Sequence, residues 1–244
     1  MVNSKRDSVS EAIVFESDEF KLKGYLHLPP APSPPFVIGC HGLFSDKNSP
    51  KQIELARQCN RLNMAYFRFD HRGCGESTAP FEDVTSLNKR CADLKAAANM
   101  LRARNDLGNH MGLFGSSMGG SVCLAAAGDL AARAIVTWAA PIRSTDLVRP
   151  QTQATGVSDI PFKRNQFDIS NRLAGLSHIL IFHGDADETV PLPHAEEIYA
   201  HVTEPKELFI FALGDHRMSR PSDQQVFQRE AARWFQTHLQ PEKN

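Results

Sequence analysis

The chain has 244 residues, 41% hydrophobic and 23% charged, which is enough apolar material for a sizeable buried core. Its 27 basic and 28 acidic side chains leave a formal charge of −1, a balance that favours neither nucleic acid nor an anionic membrane as a partner. The five cysteines, odd in number and without C-x-x-C spacing, read as reduced structural thiols, with only Cys74, in a glycine-rich turn, worth testing for reactivity.

Met1 to Asp7 lack the apolar core of a secretion signal, and no apolar run is long enough to span a bilayer, so a cytoplasmic protein is expected. Short strands around Ala12–Phe15 and Phe20–Leu28 predict an antiparallel hairpin, followed by a stiff proline-rich connector from Pro29 to Pro35. Phe36–Cys40 and Ala65–Phe69 read as buried strands on either side of a helix from about Pro50 to Leu62. In the stretch Asp70 to Ser77, Gly73 and Gly75 predict a tight turn in which Asp70 and Arg72 satisfy backbone groups or each other. Leu87, Cys91, Leu94 and Leu101 recur at helical spacing, which predicts an amphipathic helix from Ser86 to Arg104, and Phe227, Ala231, Trp234 and His238 repeat the pattern near the C-terminus. The alternation of strands and helices implies a largely parallel sheet covered on both faces.

Between these helices lies Gly115-Ser116-Ser117-Met118-Gly119, with an apolar run, His110 to Phe114, before it and small residues after it. A serine on a sharp strand-to-helix turn is exposed and pre-oriented as a nucleophile. Two later strands, Leu176–Phe182 and Glu207–Leu213, each run into a polar loop, one carrying His183-Gly184-Asp185-Ala186-Asp187 and the other Gly214-Asp215-His216. The chain order is therefore serine, acid, histidine, which differs from the orders of chymotrypsin and subtilisin.

The sequence resembles the α/β-hydrolase superfamily from about Val14 to about His238. The resemblance is carried by His41-Gly42-Leu43-Phe44, by Asp70 to Ser77, by the serine turn, and by His183 to Pro191 with His216. Within the superfamily it is most similar to small soluble carboxylesterases of the cinnamoyl (feruloyl) esterase type. The resemblance implies a single domain over 1–244 with the α/β-hydrolase fold: a mostly parallel, twisted sheet of about eight strands with helices on both faces. It also implies a small cap inserted at about 142–172, where Phe162 and Phe167 would contact substrate. The cap mixes bases such as Arg143 with Asp146, Asp159 and Asp168, a weak cationic excess that a solvated helical surface also explains.

The implied chemistry is hydrolysis of a small carboxylic ester. Ser117 would attack, His216 would carry its proton, and Asp187 would fix the imidazole. The backbone N–H groups of Leu43 and Met118 would receive the developing oxyanion. No metal or organic cofactor is expected, since H-E-x-x-H and paired-histidine spacings are absent. The partner implied is a small-molecule ester, and the sequence carries no warrant for an oligomeric state. Asp185 leaves the same strand as Asp187 and is the alternative acid, Ser116 is the alternative serine, and His41 and His183 read as loop-bonding histidines. A thioester or amide substrate, or a binding protein that keeps the fold without turnover, are the alternative functions.

Overall fold

A strand buried at every position has to be covered on both faces, and Phe36–Cys40, Ala65–Phe69 and Ala134–Trp138 are all of this kind. In the computed structural model, which describes residues 9–77, 79–147 and 166–240, they belong to one sheet. Its strands are β1 (Val9–Ser17), β2 (Phe20–Leu28), β3 (Phe36–Cys40), β4 (Ala65–Phe69), β5 (Met111–Ser116), β6 (Ala134–Trp138), β7 (Ile179–Gly184) and β8 (Lys206–Phe211). They lie in the order β1-β2-β4-β3-β5-β6-β7-β8, with β2 antiparallel to both its neighbours β1 and β4 and every other neighbouring pair parallel.

The helices are α1 (Pro50–Arg61), a single turn α2 (Phe81–Val84), α3 (Leu87–Arg102), α4 (Met118–Ala126), α5 (Pro193–His201) and α6 (Pro221–Leu239). Side chains alternate along the central strands, so Ile135, Ile179 and Ile181 join one apolar cluster while Val136, Leu180 and Phe182 join the other. The first cluster is completed by α3, α4 and α5, the second by α1 and α6. Helix α1 starts where Ser49 accepts the Gln52 amide and Pro50 presets the first turn. Helix α3 starts where Ser86 accepts the Lys89 amide.

Several boundaries differ from the sequence reading. The N-terminal hairpin is longer, and β7 begins at Ile179 because Leu173–His178 turns first, with Gly175 at φ 82° and His178 at φ 58°. Strand β8 ends at Phe211, since Leu213, at φ 56° and 78% exposed, already belongs to the following turn. Helix α5 was not anticipated; it buries only His194, Ala195 and Ile198, too short a stripe to stand out by periodicity. Among the described residues no helix is long and apolar enough to cross a membrane.

Asp70 and Arg72 do not pair with each other. Asp70 accepts the Lys47 ammonium at 2.7 Å together with the amides of Lys47 and Glu76, which closes the turn predicted at Gly73 and Gly75. Arg72 reaches instead to Asp93 on α3, at 2.6 and 2.8 Å, and to Ser17 and Asp18 at the end of β1. Both Arg72 and Asp93 are fully buried, so removing one partner leaves an uncompensated charge in the core. Asp93→Ala is expected to cost about 3–5 kcal/mol in urea denaturation; a loss below about 1 kcal/mol would mean that Arg72 is satisfied by Asp18 alone. Burial pushes the Asp93 carboxyl up, but hydrogen bonds from His71 and Arg72 outweigh it and hold the group down at about 2. Its stabilising contribution is therefore complete above the unfolded-state value near about 4 and fades as pH falls toward 2.

Candidate active site

Ligand crevices in open α/β sheets form beyond the carboxyl ends of the strands, where successive connections leave in opposite directions. Here the chain leaves β3 toward β4 on one side and later returns to β5 on the other. The loop after β3 carries Gly42 and Leu43, the turn after β5 carries Ser117, the loop after β7 carries Asp187, and the loop after β8 carries His216. A cavity of about 940 Å³ opens at this edge, lined by Gly42, Leu43, Ser117, Met118, Phe167 and His216 among others.

Ser117 adopts φ 54° and ψ −126°, a conformation costing on the order of 1–3 kcal/mol for a residue with a side chain. It is held there by its amide, which donates to the Trp138 carbonyl at 2.7 Å, and by its own carbonyl, which accepts the Gly120 amide at 2.7 Å. The glycines on either side are required by space. A Cβ on Gly119 would lie 2.2 Å from the Cys40 carbonyl oxygen, and one on Gly115 would lie 2.2 Å from that of Gly119.

The structure brings three predicted side chains together across 99 residues of chain. Ser117 Oγ lies 3.1 Å from His216 Nε2, and His216 Nδ1 lies 2.8 Å from Asp187 Oδ2. Asp187 Oδ1 accepts the amides of Thr189 and Val190, both at 2.8 Å. Burial alone would raise the Asp187 carboxyl, but the bond to His216 and these two amides hold it below its usual value, so it faces the imidazole as an anion. Trp138 braces the histidine from beneath, its indole N–H donating to the His216 carbonyl at 2.8 Å.

The competing residues have other partners. Asp185 accepts the Leu213 amide at 2.5 Å. His183 is buried and bonds the Val190 carbonyl at 2.8 Å, and burial lowers its imidazole so that it stays neutral. His41 is also buried and held neutral; Nε2 accepts the His71 amide at 3.1 Å, which leaves Nδ1 as the donor to the Gly42 carbonyl at 2.8 Å. Burial pushes the Cys74 thiol up, against its use as a nucleophile.

The loop after β3 is clamped by a residue the sequence reading passed over. Arg90 of α3 is fully buried, and its guanidinium donates to the carbonyls of His41 and Gly42 at 3.3 Å and of Leu43 at 3.0 Å. The Gly42 carbonyl also accepts from His41 and from the Ser45 amide. In a trans peptide the carbonyl and the following N–H point in opposite directions, so pinning the Gly42 carbonyl toward Arg90 turns the Leu43 N–H away from it. Gly42 itself lies against Ser117, since a Cβ there would come within 3.6 Å of the serine Cβ. The second predicted donor, the Met118 N–H, is the first of α4, where helix amides have no intrahelical partner.

Of the predicted cap, the described ends are tied together by Ser144 and Phe167, whose backbones bond at 3.0 Å, and by an isolated bridge between Arg143 and Asp168. Phe167 lines the cavity; Phe162 lies outside the described residues. Arg143 is engaged by Glu197 and Asp146 and leaves no free charge for a substrate. The sequence reading also passed over Lys51 and Arg217, which line the same cavity. Among the described residues no cluster of three or more His, Cys, Asp or Glu side chains could hold a metal ion.

The chain is similar to the uncharacterized protein YfhR of Salmonella typhi, 32% identical over 191 residues that cover 74% of this chain and 63% of YfhR. The uncharacterized protein Rv2307c of Mycobacterium tuberculosis is 26% identical over 207 residues, 82% of this chain and 69% of that protein. The chain thus spans about 63% of the length of the first of these relatives. Among solved structures, Est1E of Butyrivibrio proteoclasticus with ferulic acid bound superposes with a TM-score of 0.80 at 18% identity, covering 93% of this chain and 99% of Est1E. The α/β-hydrolase GrgF of Penicillium sp. sh18 superposes with a TM-score of 0.79 at 18% identity, covering 95% and 99% of the two chains. The eight-stranded sheet with helices on both faces is the α/β-hydrolase fold. The family model described as serine aminopeptidase, S33, matches residues 32–177, and the chain belongs to that family of α/β-hydrolases.

Proposed function

We propose that this α/β-hydrolase is a serine hydrolase that cleaves a small carboxylic ester through an acyl-enzyme on Ser117. The observation that carries the reading is the continuous line from Ser117 Oγ through His216 to the Asp187 carboxylate, with spacings of 3.1 and 2.8 Å, at the wall of an open cavity. His216 Nε2 takes the serine proton as Oγ bonds to the substrate carbonyl carbon, and the Leu43 and Met118 N–H groups receive the oxyanion. The tetrahedral adduct collapses when His216 returns the proton to the leaving oxygen and the C–O bond breaks. Water then repeats the sequence on the acyl-enzyme, releasing the acid and restoring Ser117. Asp187 supports the imidazolium in both halves without taking a proton itself.

An amide is the second reading, favoured by the aminopeptidase in the description of the family. The same residues would serve it, with a leaving amine in place of the alcohol. Est1E, which binds ferulic acid, and the Rhodothermus marinus esterase domain are neighbours in fold that support the ester reading.

The test is intact mass and peptide mapping after treatment with a fluorophosphonate, followed by turnover of aryl esters, thioesters and aminoacyl amides. One stoichiometric adduct on Ser117, absent in Ser117→Ala, is the expected result, with aryl esters cleaved faster than amides. A folded protein that takes no adduct would move the conclusion to binding without turnover.

A further inference from the structure

Two lysines at the start of α1, Lys47 before it and Lys51 in its first turn, differ in how they are neutralised. Lys47 is buried and paired with Asp70 at 2.7 Å and Glu76 at 2.5 Å. Lys51, one turn further on, lines the cavity, and among the described residues no carboxylate lies within ion-pair distance of it. Its ammonium sits 5.5 Å from the centroid of the Trp138 ring. Burial pulls it down to about 8 in spite of the attraction of Asp215 and Asp187, with Arg217 adding repulsion. A partly desolvated cation without a counter-ion gains from any anion brought to it.

The nearby acids are already engaged. Asp187 holds His216, Glu188 accepts the His216 amide at 3.2 Å, and Asp215 accepts the Ser219 amide at 2.7 Å. Arg217, which follows His216 and also lines the cavity, makes no ion pair with a described residue. Two cations therefore face the cavity with no bonded counter-charge. Lys51 stands beside the histidine: its ammonium lies over the Trp138 ring, whose indole holds the His216 carbonyl, and the charges it feels are those of Asp187, which bonds His216, and of Asp215 and Arg217, which flank His216 in the chain. That is the side on which His216 hands its proton to the departing group.

We propose that Lys51, assisted by Arg217, is an anion subsite that selects substrates carrying a carboxylate on the leaving part of the molecule. The inference rests on the serine hydrolase reading of this cavity and names the substrate class that reading leaves open. Cation and carboxylate meet in a half-desolvated site, where their attraction is stronger than on an open surface.

Two esters with one acyl group and different leaving groups, 4-nitrophenol and 3-carboxy-4-nitrophenol, test the proposal. The ratio of kcat/KM for the carboxylated over the neutral ester is expected to fall about tenfold in Lys51→Met and to recover in Lys51→Arg. The deacylation rate in single turnover should be the same for both esters, because the charged part has left. Equal losses on both esters in Lys51→Met, or an unchanged ratio, would leave Lys51 as a packing residue on Trp138 and overturn the proposal. Calorimetric binding of 3-hydroxybenzoate to Ser117→Ala separates this outcome from a failure of the hydrolase reading, since it needs no turnover. Binding at pH 8 should be accompanied by net proton uptake, because burial pulls the Lys51 ammonium down to about 8 and leaves it partly deprotonated there. Lys51→Arg should bind without that uptake; affinity and proton uptake unchanged in Lys51→Met would overturn the subsite even if no ester is cleaved.

Discussion

Asp187→Asn is expected to lower turnover by a factor of about 10⁴ while leaving the protein folded. The reason lies in how the carboxylate is held. Its Oδ1 accepts the Thr189 and Val190 amides at 2.8 Å, and an asparagine oxygen can keep both bonds, so the loop should survive. The asparagine nitrogen then faces His216 Nδ1, where the carboxylate oxygen stood at 2.8 Å. A donor in that position asks Nδ1 to accept, which moves the imidazole proton to Nε2, toward Ser117, and removes the base. Asp185→Asn should change turnover only a few-fold, because Asp185 is committed to the Leu213 amide. Steady-state kinetics on both variants decide the assignment; a large loss in Asp185→Asn with near-normal Asp187→Asn would transfer the role of the acid.

What was legible in the sequence was what local rules control. The glycines around Ser117 announce a turn that no larger residue could make, since both neighbours would meet backbone oxygen at 2.2 Å. Strands β3 and β4 are buried along their full length and were readable as apolar runs. Histidines before glycines at strand ends were rightly read as loop-bonding groups, as the contacts of His41 and His183 show. The limits of β7 and β8 were missed because apolar residues such as Leu176 and Leu213 continue past the point where the backbone turns.

Lys51 and Arg217 carried no signal at all. A lysine in the first turn of a helix is ordinarily a solvated one, and only the long-range approach of Trp138 and His216 gives these cations a setting. Arg90 did leave a signal. Read with period 3.6, Leu87, Arg90, Leu94 and Leu101 share the buried face of α3, so a charged residue stood in the apolar stripe. A charge at such a position is informative because it has to be satisfied by something.

That something is the loop that carries the candidate oxyanion donor, and the consequence is measurable. Arg90→Met is expected to lower kcat by a factor on the order of 10²–10³, the usual effect of losing one oxyanion donor, with little change in KM. Without the guanidinium, the carbonyls of His41, Gly42 and Leu43 lose a shared partner, and the peptide between Gly42 and Leu43 is free to rotate. Rotation carries the Leu43 N–H away from the oxyanion position. The ground-state substrate has no such charge and would bind nearly as before. Arg90→Lys keeps the charge but cannot fork to three carbonyls, so its turnover should fall between Met and the parent. Loss of folded protein is separated from loss of rate by counting active sites with a fluorophosphonate and quoting turnover per labelled site. A trifluoromethyl ketone, whose adduct with Ser117 places an oxyanion in the site, should weaken in proportion to kcat, whereas a carboxylate product should not. Turnover per labelled site equal to the parent in Arg90→Met would show that His41 and the Ser45 amide, which also hold the Gly42 carbonyl, suffice to fix the loop.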